Sequence, residues 1–510
     1  MMNTDAPTPR RWWTPGVLIL GLVVVQMDTT ILGVAVQRLS QPAPAGLGLS
    51  QGELLWSINA YTLVMAGMML TAGMLADRLG RRRVLLAGMA LFGMASLWCA
   101  FSVNGPMLIG GRTVLGLAAA LITPTTLAVI SHTFSSEERP KAIGIWSGGV
   151  GIAVALGPIV GGLLLDHLRW GSIFLINVPL VAIAVIAMAA LVPESRNPRP
   201  GRVDVPGILL SMAGMGLLVA GIIRGGDTGE WASSRVWLPA LGGGIALATF
   251  IMWERRAPSP LIEVGWFRMR AFSGSIAVMT LAFFSMLGTT FVIAFYLLSL
   301  RHLSVIATGL LMLPLAAAQL AFSSQTPRLA QKYGPRSTSA FGMLALASAL
   351  LLFSSLDVDS SLWKVGTALF LIGVGIAFIM PSASSAIMAS VPRQRAGSAS
   401  ATSNTFRQIG GALGTAVLGA ILTSVYRSQI TGHLGDLPAQ LRETAASSIQ
   451  ATQAALSTVG SSVSDPATII AASDAAFVSG LHVCALLGAC IALAGAAITR
   501  LALPSRADSR

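Results

Sequence analysis

Five charges, Asp77, Arg78, Arg81, Arg82 and Arg83, crowd between two apolar runs that are each long enough to cross a bilayer. A hydrocarbon interior tolerates neither such charges nor an irregular backbone exposed to lipid, so this stretch reads as a tight aqueous turn joining two spanning helices. A spanning helix needs about 20 mostly apolar residues. Fourteen segments meet that description: 17–36, 54–76, 84–102, 107–132, 142–165, 171–192, 205–223, 236–253, 272–300, 305–324, 337–356, 362–382, 398–426 and 475–501. The expected fold class is therefore an all-α polytopic membrane protein.

Composition agrees with that reading. Apolar residues make up 54% and charged residues 10% of the chain, against about 25% charged in soluble domains. The net charge of +13 would suit a nucleic-acid binder, but the arginines fall in short loops and not on one continuous face. Membrane topology accounts for them, because Lys and Arg accumulate in cytoplasmic loops. With the amino terminus inside, one side collects Arg10, Arg11, the 78–83 cluster, Arg139, Lys141, the arginines of 196–202, 255–270 and 328–336, Arg393, Arg395 and the carboxyl terminus. The other side keeps scattered cases such as Arg38, Arg169, Arg235 and Arg442. An even number of spans puts both termini in the cytoplasm, and the first apolar run, lacking a small-residue cleavage site, is expected to stay as a helix. Cys99, Cys484 and Cys490 lie in apolar segments without metal-ligand spacing and are expected as packing residues, with no disulfide and no metal.

The octet 75–82 lines up with 329–336, each in a predicted cytoplasmic turn. If the turns correspond, spans two and three match spans ten and eleven, and the chain divides into six helices, two extra helices and six more. Residues 1–192 form the first bundle, 193–270 the linker with the two extra spans, and 271–510 the second bundle. Related halves are the usual construction of alternating-access carriers. The one long loop, 427–474, falls on the outer side. In it Leu437, Leu441, Ala445 and Ile449 recur about every four residues, which predicts a short amphipathic helix lying on the surface.

Several runs carry a family likeness: 73–83 in the first charged turn, Met27-Asp28-Thr29-Thr30-Ile31, Gly157-Pro158-Ile159-Val160-Gly161-Gly162, the run 174–179 and the run 404–411. On these the chain resembles the fourteen-span drug:proton antiporters of the major facilitator superfamily, the EmrB/QacA-like branch, over nearly its whole length. The resemblance implies a major facilitator fold with 14 transmembrane helices arranged 6+2+6 about a central cavity.

Asp28 is the leading candidate residue. An acid inside an apolar helix costs about 2.5–3.5 kcal/mol even on lenient insertion scales. Counted from Pro15 at about 1.5 Å per residue it lies roughly 20 Å up its helix, and Arg112, counted down from Pro106, lies about 9 Å below the opposite edge of a layer about 30 Å thick. The depths coincide. Burial penalises the charged carboxylate, a neighbouring cation favours it, and the balance moves when water or substrate enters. Asp28 and Arg112 are thus the expected proton-coupling pair, a role the resemblance also implies; a fixed ion pair between helices is the plainer alternative. Arg407, about 15 Å into span thirteen, is the other intramembrane cation, with Asn404 and Gln408 beside it.

Gly73, Asp77, Arg78, Gly80 and Arg81 read as a conformational latch, with Asp77 able to face the positive end of a helix from the other half. Gly157, Pro158, Gly161 and Gly162 form the antiporter motif of span five, where small residues allow close approach; the smooth run Ala316, Ala317 and Ala318 in span ten is the expected partner. Ala153 departs from the Gly often found there. Trp56, Asn59, Tyr61, Phe284, Met286, Phe291, Phe295, Tyr296, Asn404 and Arg407 are the substrate-cavity candidates, since Met and aromatic rings suit lipophilic and cationic ligands. Asn59 stands where some pumps of multivalent cations in this branch carry an acid, so monocationic or neutral substrates are favoured.

The expected function is proton-coupled efflux of amphipathic drugs, dyes or antiseptics across the cytoplasmic membrane. A dedicated exporter of one natural product, metabolite or lipid is the rival, and a scaffold or sensor without transport the alternative of another class. No enzyme is expected, because His132, His167, His302, His433 and His482 lie apart, and no G-x-x-x-x-G-K-[ST] run points to nucleotide use. Expected partners are protons, lipophilic small molecules and the bilayer, with no nucleic acid, no cofactor beyond the proton gradient, and a monomeric state.

Overall fold

The structure, a computed structural model, describes residues 12–134, 138, 153, 156–157, 159–196, 204–257, 260–392, 396–459 and 465–503. Among these residues no strand occurs. The first half consists of α1 (Trp13–Ser40), α2 (Gln51–Leu79), α3 (Arg81–Ala100), α4 (Gly105–Thr133), α5 (159–167), α6 (Ser172–Leu175) and α7 (Asn177–Leu191). Two further helices follow, α8 (Val205–Thr228) and α9 (Ser234–Glu254). The second half comprises α10 (Arg270–Phe295), α11 (Val305–Leu311), α12 (Leu313–Ser323), α13 (Thr326–Tyr333), α14 (Pro335–Phe353), α15 (Leu362–Ala389), α16 (Ala396–Ile430), the hairpin α17 (Ala439–Ala445) and α18 (Ile449–Val459), and α19 (Pro466–Ala502). Among the described residues twelve helices are long and apolar enough to cross a membrane, and α2, bent by 53° between Gln51–Met69 and Thr71–Leu79, makes thirteen when its two parts are taken as one span. The expected span 142–165 lies largely outside the described residues.

Side-chain chemistry explains the punctuation. Ser50 and Glu53 cap α2 reciprocally, Asn104 caps α4 with Pro106 behind it, and Asp465 caps α19, each satisfying amide donors that a helix start leaves open. Span ten breaks into α11 and α12 at Met312, just before Pro314, where the ring removes a helical hydrogen bond.

The repeat seen in sequence is a repeat of structure. Gly80 has φ 111° and ψ 128°, and Gly334 has φ 85° and ψ 152°, each alone between two helices. Neighbour relations repeat as well: α3 packs on α4 and α7, and α14 on α15 and α19; α1 packs on α7, and α10 on α19. The halves meet along crossed seams. Antiparallel α2 and α16 run together through Leu55 on Gly419, Asn59 on Thr415, Met65 on Gln408 and Ala66 on Thr405. At the other seam Gly162 of α5 lies so near Ile306 that an added Cβ would stand 2.8 Å from its Cα. Helix α8 lies over the first seam, with Gly67 of α2 under Met212 and Gly226 against Ala420 of α16, while α9 packs on α8 and is otherwise exposed.

Two expectations need correction. The loop 427–474 is largely helical: α16 runs to Ile430, α19 begins at Pro466, and between them stand two short helices. Leu437, Ala445 and Ile449 are buried and Leu441 packs against the core, so this apolar face closes on the bundle through α19, α1 and Tyr296–Leu300. The stripe thus belongs to two short helices packed on the bundle and not to one helix. The partner of the antiporter motif is also not the alanine run. Gly162 meets Val305 and Ile306 at the start of α11, whereas Leu315 and Ala318 face Gly373 of α15 within their own bundle.

Gly80 is demanded by its backbone, because φ 111° with ψ 128° is open almost only to glycine. Gly80→Ala and Gly334→Ala should each cost about 1–3 kcal/mol. Gly80→Ala should cost more, since its Cβ would also stand 2.7 Å from the Glu194 carboxylate. Thermal unfolding in detergent measures both; an unchanged midpoint for Gly80→Ala would contradict this account.

Candidate functional site

Asp28 lies near the middle of α1 and Arg112 in the first third of α4, and both are buried, at 0% and 1% exposure. Arg112 Nη1 donates to Asp28 Oδ2 at 2.5 Å. The depth matching made from residue counts is thus realised as direct contact. The guanidinium has two further supports: Nε donates to the Ser57 carbonyl of α2 at 3.0 Å, and the plane lies over the Tyr61 ring, 4.4 Å from its centroid. Such a face-on cation contact contributes about 0.5–2 kcal/mol. Asn177, the first residue of α7, donates from Nδ2 to Asp28 Oδ1 and to Ser96 Oγ, both at 3.3 Å. Its own Oδ1 is buried with no partner among the described residues.

Five elements therefore meet at one ion pair: α1 and α4 supply the charges, α2 a carbonyl and a ring, α7 an amide and α3 a hydroxyl. Every other described acid lies nearer a helix end or outside the helices. Asn177 was not among the sequence candidates, although it stands in the run 174–179; a single amide opening an apolar run was the available signal. Glycines make the site compact. An added Cβ at Gly111 would stand 2.6 Å from Cys99 Sγ, and Gly116 abuts the Tyr61 backbone. Gly157 lies against Thr30 and Met27, so span five presses on α1 within one turn of Asp28. Gly161 is buried, and Pro158 lies outside the described residues.

The latch residues are arranged differently from expectation. Asp77 Oδ1 accepts from Arg81 Nη2 at 2.7 Å and Nε at 3.0 Å. Beside it Glu194, just past α7, accepts from the Arg82 amide at 3.3 Å and lies 3.8 Å from Arg83 Nε, while the Arg81 amide donates to the Ser195 carbonyl. Arg82 also donates to the Ala189 carbonyl. The described partners of this turn lie in the first half or, as Glu194 and Ser195, in the chain just past α7. Glu194 is the residue missed here. Arg78 is exposed, and nothing stands within 4 Å of an added Cβ at Gly73.

The cavity candidates separate into groups. Tyr61 belongs to the ion pair. Asn59 Oδ1 accepts from Thr415 at 3.1 Å on the α2/α16 seam. Phe291 and Phe295 stack edge to face at 5.0 Å, and Tyr296 is fully buried with its hydroxyl donating to the Asp357 carbonyl, so these three are packing at the hairpin end. Trp56, Phe284 and Met286 are half-buried. Arg407 is half-buried over the Phe283 ring at 5.3 Å, with no acidic partner among the described residues, and Asn404 donates to the Ser400 carbonyl. No group of three metal-ligating side chains occurs among the described residues.

Comparison with known proteins agrees with this architecture. The family model described as Major Facilitator Superfamily matches residues 18–415. The multidrug efflux pump LfrA of Mycolicibacterium smegmatis is 31% identical over 509 residues, covering 98% of this chain and 97% of its own. The tetracenomycin C resistance and export protein of Streptomyces glaucescens is 33% identical, covering 81% and 76% of the two chains. The methyl viologen resistance protein SmvA of Salmonella typhimurium is also 33% identical, covering 82% and 84%. Among solved structures, an inward-facing bacterial homologue of the human lysosomal transporter Spinster superposes with a TM-score of 0.66 at 18% identity, covering 98% of each chain.

The Tyr61 ring matters more here than its hydroxyl, whose contacts to Thr29 and the Val25 carbonyl are long, at 3.4 and 3.5 Å. Tyr61→Phe should keep near-native thermal stability and Tyr61→Leu should lose about 1–3 kcal/mol, from the lost ring contact and the space it leaves. Equal loss in the two variants would show that the hydroxyl is what counts.

Proposed function

Because the chain belongs to the Major Facilitator Superfamily, we propose that it is a proton-coupled multidrug efflux antiporter exporting amphipathic monocationic or neutral compounds by alternating access. Family and fold point to a transporter and not an enzyme, and the apolar helices make it a multi-pass membrane protein. Relatives at 31–33% identity are named as multidrug efflux or resistance proteins, which supports drug efflux here. In this reading the fold has 14 spans in a 6+2+6 arrangement, both termini are cytoplasmic, and the arginine-rich ends of α2 and α3 face the cytoplasm.

One observation carries the coupling: a single deeply placed carboxylate in direct contact with a buried guanidinium. Protonating Asp28 removes its charge and frees the contact between α1 and α4, and proton loss restores it. Such a carboxylate exchanges its proton for cargo when the surrounding helices open alternately to the two sides. The substrate class rests on Asn59, engaged with Thr415 where an acid would recognise a second positive charge, and on Arg407, which has no acidic partner among the described residues. The relative named for export of tetracenomycin C keeps the dedicated exporter as the second reading.

Two measurements test the proposal. Asp28→Asn should insert normally yet lose pH-gradient-driven uptake in everted vesicles by about tenfold or more, corresponding to at least about 1.4 kcal/mol; full gradient-driven exchange in that variant would remove Asp28 from the mechanism. In proteoliposomes with an imposed gradient, monocationic and neutral dyes should be transported faster than methyl viologen. Preferential transport of the dication would overturn the substrate assignment.

A further inference from the structure

Outside the ion pair, two more buried carboxyl groups meet where α8 and α9 join the strand of chain leading to the second bundle. Asp204, 8% exposed, caps α8, and Glu254, 3% exposed, ends α9. Asp204 is fully engaged: Oδ1 accepts from the Gly207 amide at 3.1 Å, and the Trp253 indole donates to Oδ1 at 2.8 Å and Oδ2 at 2.9 Å. Glu254 is engaged on one side only. Its Oε2 accepts from the Ile262 amide at 2.9 Å, but Oε1 is buried with no partner among the described residues. That orphaned oxygen is aimed at Asp204: a Cβ placed on Gly207 would stand 2.6 Å from Asp204 Oδ2 and 2.6 Å from Glu254 Oε1, and the two side chains are within hydrogen-bonding reach.

Two carboxylates cannot hydrogen-bond to each other without a proton, since an ionised carboxylate only accepts. Ionising both would place two like charges in contact in a dry site. One proton on Glu254, donated to Asp204 Oδ2, satisfies every oxygen of the pair. Among the described residues no cation faces the pair to substitute for it. Arg255 and Arg256 at the end of α9, and Arg268 on the following turn, are exposed; Glu263 is half-buried on the same strand. The apolar residues of α2 and α16 that pack against the junction are Met68, Met74 and Phe406.

The strand held by Glu254 has a position of consequence. Leu261 and Ile262 are buried with Ile208, and this small core packs against Met68 and Met74 of α2 and Phe406 of α16. Phe267, five residues on, stacks on Phe406 at 5.5 Å. We propose that Asp204 and Glu254 bind one shared proton, separate from that of Asp28, and that this proton keeps Leu261 and Ile262 wedged against the α2/α16 seam. Losing it sets the two carboxylates against each other and releases the strand from the seam.

The test uses the full chain in nanodiscs with Cys99, Cys484 and Cys490 replaced by Ala. Ile262→Cys, buried, is labelled with a maleimide and its rate divided by that of Gly265→Cys, which is exposed with open space about it. The ratio should rise about tenfold or more between about pH 5 and pH 9 as the strand is released. Glu254→Gln, whose amide donates to Asp204 and still accepts from Ile262, should hold the ratio low at every pH, and the step should persist in Asp28→Asn. A ratio independent of pH, or a step that survives Glu254→Gln or vanishes in Asp28→Asn, overturns the proposal. Infrared difference spectra between the two pH values give a second reading. A protonated-carboxyl band lost in Glu254→Gln is expected, and a band unaffected by that substitution counts against the pair.

Discussion

A charge cannot rest in hydrocarbon without a partner, and the first bundle is organised around satisfying that demand for Arg112. Removing one member of a buried pair typically costs about 3–5 kcal/mol, because the other charge is left stranded. Here the demand draws in a carbonyl from α2, an aromatic face from the same helix and an acid from α1. The acid in turn draws in the Asn177 amide, and with it α7 and, through Ser96, α3. Five helical elements are thereby fixed at one depth by groups that have no alternative partners in a bilayer.

The two halves are joined in another way. Their seams are made of glycines, Gly162 against the Ile306 backbone and Gly419 against the Leu55 side chain, and of neutral contacts such as Asn59 with Thr415 and Gln408 with Met65. Neutral contacts of this kind contribute little each. Charge-pinned packing within the first bundle thus stands beside weak, smooth contacts between the bundles. Helix α8 crosses this division by touching both α2 and α16 along the first seam, so the extra pair is placed to sense their separation.

What the sequence made legible follows from what a membrane forbids. Charges in apolar runs cannot hide, and the regular rise of a helix turns residue numbers into depths, so Asp28 and Arg112 could be matched before any coordinates. The glycine turns at Gly80 and Gly334 were legible because the repeat kept glycine where the backbone requires it. Neutral residues were harder. Asn177 costs less than a charge to place in a helix and so sends only the weak signal of one amide opening an apolar run, and Tyr61, Phe295 and Tyr296 carry no mark of the face they turn to. The hairpin α17–α18 was read as a surface helix because an apolar stripe is the same whether it meets lipid or protein. Gly162 was paired with the wrong end of span ten for a related reason: smoothness identifies a seam but not its register.

The ion pair is also unequal in its supports, and the inequality sets a direction. If Asp28 takes a proton, Arg112 keeps the Ser57 carbonyl and the Tyr61 ring, so its charge stays solvated in place. If Arg112 were withdrawn, Asp28 would keep, among the described residues, one amide donor at 3.3 Å. The arginine is therefore the better supported member of the pair. Gly157 presses span five against Met27 and Thr30, the two sides of the turn that carries Asp28, and Gly162 of the same span meets Val305 and Ile306 of the second bundle. A chain of direct contacts thus runs from Asp28 to one of the seams between the halves.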